Sequence, residues 1–376
     1  MGGPLAGVRV VELAGIGPSP YACMLLADLG ADVLRLERGD PDAAPEPTWD
    51  LLNRSRPSVA VNLKADAGRA LVLELVERAE VLVEGFRPGV AERLGLGPAE
   101  ALARNARLVY GRMTGYGQTG PLASRAGHDI NYIALSGALW PIGRAGERPT
   151  PPLNLVGDFG GGALFLVVGV LAALSHARAT GEGQVVDAAM LDGSASMMAM
   201  THALLNAGYW VEERGVNILD TGAPFYEVYE TRDHRYVAVG AIEAKFYDAL
   251  VTGLGLDPAD LPPQMDREHW PATTTRFARI FATRTRDEWE AAFEGVDACV
   301  TPVLSPREAP AHPHNVARRV FLDAPRQPAP APRFSRTPGA VTSAPLTPGS
   351  GTRAALAAWG IDASRQAQLR EAGAFS

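Results

Sequence analysis

Residues 8–38, VRVVELAGIGPSPYACMLLADLGADVLRLER, carry the reading on which the fold turns. Val8–Leu13 is a short apolar run, Tyr21–Leu29 has helical spacing, and Asp32–Leu36 is apolar again, so the stretch predicts strand, helix, strand. Working outward, Ala65–Ala79 reads as an amphipathic helix, with strands at Val81–Val83 and Arg107–Met113. Gln184–Ala189 reads as a further strand running into a helix over Met190–Ala207. Such alternation predicts an α/β fold with a parallel sheet covered on both faces. After residue 220 the texture changes. Phe225–Thr231 and Tyr236–Ile242 alternate around the polar turn Arg232–Arg235, a hairpin signal. Helices near Ala244–Leu254, Thr274–Thr283 and Arg286–Phe293 and a strand at Ala298–Val303 complete a smaller α+β block. Ala324–Gly351, rich in Pro, Ser, Thr and Gly, predicts an extended surface linker, and Arg353–Trp359 a last helix.

At 376 residues the chain exceeds what one core usually serves. Three ranges are expected: 1–205 as the first part of a large domain, 220–310 as a small domain, and 320–376 as a segment returning to the large one. A net charge of −7 argues against nucleic-acid binding. Lysine occurs only at Lys64 and Lys245, and the many arginines read first as compositional bias. Cys23 and Cys299 fit neither a disulfide framework nor a metal site, so no metal and a reducing, cytoplasmic setting are expected. The start lacks the pattern of a secretory signal, and the terminal GAFS is not a peroxisomal address. Phe159–Ser175 is uncharged and nearly long enough to span a bilayer. Gly160–Gly162 open it and no aromatic belt flanks it, so a buried helix is expected rather than membrane insertion.

The β-α-β opening invites a dinucleotide reading, with Gly15 and Gly17 in the turn and Glu37 about 20 residues on. Yet Pro20 stands where the third glycine belongs, and Pro18 and Pro20 remove N–H donors that a pyrophosphate would need. Arg38, Arg54, Arg87 and Arg93 instead fall on successive strand-end loops. Singly, each reads as a solvated surface residue; together they suggest an extended phosphorylated ligand.

Two further residues carry acid–base potential. His128 lies in the polar cluster Ala126–Tyr132, where the plain alternative is a hydrogen-bonded core histidine. Asp158 precedes three glycines at the start of the long apolar segment, where the alternative is an N-cap. Three glycines there are costly for a helix and suggest that something approaches the backbone closely. A His and an Asp beside free N–H groups can move a proton next to a carbonyl. The same parts could let Asp158 attack a thioester to form an acyl-enzyme anhydride. Spacing alone leaves both open.

Several blocks in order resemble the family III CoA-transferase superfamily: the opening above, NRSRPSVAVNLK (53–64), EGFRPGVAERLGLGP (84–98), GYGQTGP (115–121), GDFGGGA (157–163) and GEGQVVDAAM (181–190). Later echoes are VGAIEAKFYDAL (239–250) and HPHNVARRVF (312–321). Within the superfamily, AGHDINYIALSGAL (126–139) is similar to the α-methylacyl-CoA racemases, because transferases usually carry an aromatic residue where His128 stands. The resemblance implies a lipid-metabolism enzyme that inverts C2 of 2-methylacyl-CoA thioesters, with His128 and Asp158 as the acid–base pair and Glu243 assisting the histidine. The alternative it leaves is CoA transfer between carboxylates with Asp158 as nucleophile. It further implies Arg38, Arg54, Arg87 and Arg93 on the adenine and phosphates of CoA, and backbone at Asp129 on the thioester oxygen. Met190, Met197, Met198 and Met200 read either as core packing or, as the resemblance implies, as an adaptable groove for the acyl chain. No cofactor is implied beyond the CoA of the substrate. The implied architecture is an interlocked homodimer of a Rossmann-like large domain and a small domain, with Glu243 reaching His128 of the other chain.

Overall fold

The computed structural model describes residues 2–375. Two compact units divide the chain. The first holds the chain up to Ser136, Leu153–Met197 and the chain from Val320 onward; the second holds Gly137–Pro152 and Met198–Arg319. Relative to the expected ranges, the crossing falls at Met198 rather than after residue 205, and Gly137–Pro152 joins the second unit.

The first unit is built on six parallel strands: β1 (Arg9–Leu13), β2 (Asp32–Glu37), β3 (Ser58–Ala60), β4 (Val81–Glu84), β5 (Val109–Thr114) and β6 (Gln184–Ala189). Their order is β3-β2-β1-β4-β5-β6, so the order reverses between β1 and β4. Ligands of open α/β sheets bind at such a switch point, outside the carboxyl ends of the strands. The central strands β1, β2, β4 and β5 are almost wholly buried, which is why they read as apolar runs. Between the strands run α1 (Pro18–Asp28), α2 (Asp66–Val76), α3 (Val90–Arg93), α4 (Pro98–Arg104), α5 (Asp129–Leu135) and α6 (Phe165–Thr180), then α7 (Met190–Met197) after β6.

Two polar anchors sit inside this sheet. Glu12 on β1 is fully buried and paired with Arg35 at 3.3 Å and Arg56 at 2.5 Å. Glu84 accepts from Arg112 Nε at 2.8 Å and from the Phe86 N–H at 2.6 Å, and Arg112 continues to Glu92 at 2.7 Å. That second chain ties the loop after β4 to the sheet and to α3.

The long apolar segment differs from expectation. A π-helical stretch, Leu155–Leu164, runs straight into α6, giving one helix of 26 residues. Only 39% of its most apolar window is buried: Leu166, Val170 and Leu174 pack on the sheet, while Leu164, Val168 and Leu171 stay exposed. It is therefore a one-sided covering helix of the first unit, not a fully buried one.

In the second unit, α8 (Ala199–Asn206) is separate from α7, the break falling at Met198. The expected single helix over Met190–Ala207 is thus two. The hairpin is present as β7 (Tyr226–Glu230) and β8 (Tyr236–Gly240), and β9 (Val300–Pro302) adds a third antiparallel strand. Helices α9 (Ala244–Gly253), α10 (Trp270–Phe281) and α11 (Arg286–Ala292) pack Tyr247, Phe277, Phe281 and Trp289 against Phe225 and Tyr229, and α12 (Pro313–Arg318) follows.

The proline-rich segment is more ordered than a linker. It begins in the ribbon β10 (Phe321–Asp323) and β11 (Arg326–Pro328). It then bonds the edge of the first unit: the Gly349 N–H donates to Ser58 Oγ at 2.7 Å and the Ala60 N–H to Thr352 Oγ1 at 2.8 Å. After α13 (Thr352–Ala358) comes an unforeseen helix, α14 (Ala363–Glu371).

Candidate active site

At the switch point a cavity of about 460 Å³ opens in the first unit. Ile16 and Gly17 from the turn after β1, Phe86 and Arg87 from the loop after β4, and Met113–Tyr116 from the end of β5 supply its floor. His128, Tyr132, Asp158 and Met190 close it, so the two acid–base candidates, thirty residues apart in sequence, share one cavity.

His128 is exposed at the N-cap of α5 in extended backbone. Its N–H donates to Asn131 Oδ1 at 3.0 Å, which fixes the start of the helix. Asp129, the next residue, is buried; its Oδ2 accepts the Asp158 N–H at 2.7 Å. No partner for the Asp129 N–H is seen among the described residues, as expected in a first helical turn.

Asp158 is not an N-cap. Asn154 holds that position, and Asp158 sits on the first wide turn, half-buried, with Oδ2 accepting from Asn154 Nδ2 at 3.1 Å. Burial pushes its carboxyl above the usual aspartate range; the Asn154 hydrogen bond opposes this, the charge of Asp129 reinforces it, and His128 opposes it. Tyr132 donates to the Gly127 carbonyl, packs edge-on to Tyr116 at 4.9 Å, and is pushed up to about 12, chiefly by burial.

The close approach expected at the glycines around Asp158 is present. A Cβ at Gly157 would lie 2.7 Å from Asp129 Oδ2, and one at Gly161 would lie 2.5 Å from Ser194 Oγ and 2.6 Å from Ser194 N. At Gly162 it would meet Met190 Cγ at 2.7 Å. The approach comes from α5 and α7 of the same chain, so the glycines let the turn that carries Asp158 nest against its neighbouring helices.

The arginines separate into groups. Arg87 is exposed and lines the cavity. Arg38 lines a second groove of about 710 Å³ with Glu37, Asn62 and Lys64, and Phe86 belongs to both walls. Arg93 is exposed on α3 but lines neither. Arg54 must be corrected: it is buried, bonded through Nε and Nη2 to Asp28 at 3.2 and 2.6 Å, and through Nη1 to Gln327 Oε1 and the Pro328 carbonyl, both at 2.8 Å. Four of its five N–H groups are spent inside the fold. It ties α1 to β11 and has no face left for a phosphate.

The methionines do not form one stripe. Met190 is buried in the cavity wall, and Met197 lies against Gly160. Met198 and Met200 fall in the second unit, where Met200 lines a separate apolar pocket with Leu204, Tyr209 and Trp270. Glu243 is also in the second unit, exposed at the N-cap of α9. Sequence reasoning missed Ile16, Tyr116 and Arg125 at the cavity and Lys64 at the groove. Lys64 left a trace, being one of only two lysines.

The sequence profile of CoA-transferase family III matches residues 5–353. The chain is 47% identical to the mouse α-methylacyl-CoA racemase, covering 92% of this chain and 90% of that one. It is 45% identical to the human α-methylacyl-CoA racemase, covering 89% and 87%. Among solved structures, a CAIB/BAIF family protein from Brucella suis superposes with a TM-score of 0.80 at 25% identity, covering 96% of this chain and all of that one. With the parallel sheet, the cavity at its switch point and the profile spanning most of its length, the chain belongs to CoA-transferase family III.

Proposed function

We propose that this protein racemises 2-methylacyl-CoA thioesters at C2, with His128 and Asp158 as the acid–base pair. The observation that carries the reading is that both side chains open on one cavity in a chain 45–47% identical to α-methylacyl-CoA racemases. One group takes the proton from C2, and the electron pair of that C–H bond moves into the thioester carbonyl as an enolate. The other group returns a proton to the opposite face of C2. The reaction is redox-neutral and balances with no group beyond the CoA of the substrate. The free N–H at Asp129 is suited to donate to the enolate oxygen. Burial raises the proton affinity of Asp158, which suits a group that both takes and returns a proton.

In this reading Arg87 meets the phosphates of CoA, and Arg38 with Lys64 meets the nucleotide end in the neighbouring groove, with Phe86 between them. Arg93 contributes at longer range. Met190 and Met197 offer a deformable apolar surface for the acyl chain. A homodimer is part of the proposal: Glu243 of a second copy assists His128, and the exposed Leu164, Val168 and Leu171 offer apolar area for a second copy to cover. The test uses an enantiopure 2-methylacyl-CoA, with and without an added carboxylate. Loss of optical purity is expected. CoA moving to an added carboxylate, with optical purity kept, would favour transfer instead.

A further inference from the structure

Asp129 has a side chain whose cost the oxyanion role of its backbone does not explain. Its carboxylate is buried, and only Oδ2 is engaged, by the Asp158 N–H at 2.7 Å. Oδ1 is buried with no hydrogen-bond partner. A half-satisfied buried anion is unfavourable, and a neutral Asn would accept the same N–H at lower cost. The surrounding chain is nonetheless shaped to this group, since any side chain at Gly157 would strike it.

From these observations, and resting on the racemase reading, we propose that the Asp129 carboxylate is a positioning residue that spans the catalytic pair. Joined covalently to His128 and hydrogen-bonded to the backbone of Asp158, it sets the separation of the two groups. Its carboxylate, placed beside Asp158, also tunes how readily that group takes and returns the C2 proton.

The groups facing Asp158 leave Asp129 as the nearest source of negative charge. From α5 and its cap come His128, Asp129 and Tyr132; from its own helix comes Asn154. The start of α1 presents Gly17, with the Tyr21 ring tilted against Phe159 at 4.4 Å, and the loop after β4 brings Arg87 to the same cavity. On α7, Ser194 faces Gly161, and the charge of Asp192 acts on Asp187.

Asp129→Asn tests the idea, because Asn keeps the shape and a carbonyl acceptor for the Asp158 N–H but removes the charge. Deuterium wash-in at C2 is measured for each enantiomer of a 2-methylacyl-CoA across pH, with melting curves confirming the fold. The acid limb of the profile is expected to move down by roughly 1 pH unit. The ratio of wash-in rates for the two enantiomers should change several-fold, because only the face served by Asp158 meets a weaker base. Asp129→Ala, which removes the acceptor as well as the charge, should shift the limb the same way and in addition slow both faces by about 100-fold through misplacement. A neutral variant with the wild-type limb and ratio overturns the proposal, as does equal slowing of both faces at an unchanged limb. Wild-type protein without wash-in would sink the racemase reading itself, whatever the variants do.

Discussion

At the residue scale, the proposed choice of inversion over CoA transfer turns on His128; its polar cluster left a core histidine equally open, and only the resemblance of residues 126–139 to the racemases singled it out. His128→Ala is expected to lower C2 exchange by about 10³-fold. Binding of a CoA ester, followed by calorimetry, should change little; surviving exchange would put the base elsewhere. The arginines were legible only as a set. Spacing could not distinguish Arg87, exposed at the cavity, from Arg54, whose partners Asp28 and Gln327 lie 26 and 273 residues away. The two should respond oppositely. Arg87→Ala is expected to raise KM for CoA esters about tenfold with stability intact. Arg54→Ala leaves Asp28 buried and unpaired and should cost about 3–5 kcal/mol in urea unfolding. If Arg54→Ala weakened binding in a protein of undiminished stability, the structural assignment would fail.

At the element scale, the central strands were readable because burial on both faces leaves an uninterrupted apolar run. Helix α14 was not, since only Leu369 of its nine residues is buried and no apolar stripe marks it. The break at Met198 was equally hidden: Met, Ala and Leu on either side all favour helix, so tertiary packing decides it. The π-helical turn is the element that carries Asp158 in the proposed mechanism. Its widening leaves the Asp158 N–H without an intrahelical partner and free for Asp129. Gly161→Ala, forcing a Cβ into Ser194, is expected to cost about 1–3 kcal/mol. It should also slow exchange by more than tenfold as Asp158 shifts. Wild-type exchange in that variant would show that the nesting of this turn on α7 does not set the geometry.

For the whole molecule, the sequence pattern conveyed an α/β unit and a second α+β block. It did not convey that Gly137–Pro152 leaves the first unit for the second: the stretch is rich in Pro and Gly, which signals a break in regular structure but not which unit it joins. Single-chain geometry puts His128 and Asp158 in one unit and Glu243 in the other, so the proposed dimer has a genetic test. Chains carrying His128→Ala and chains carrying Glu243→Ala, each inactive or weak alone, are co-expressed and the mixed dimer purified. If Glu243 serves the other chain, one of its two sites is fully wild type, and up to half the wild-type exchange returns. A mixed dimer no better than its parents would place Glu243 in service of its own chain.

The most direct measurement follows the C2 proton itself. Wild-type protein is incubated in D₂O with one enantiomer of a 2-methylacyl-CoA, with and without an added carboxylate. Mass spectrometry and chiral analysis then follow deuterium, configuration and the location of CoA. Racemisation predicts one deuterium at C2, appearing with loss of configuration at the same rate whether or not the carboxylate is present. CoA passing to the carboxylate while C2 keeps its proton and configuration would contradict it.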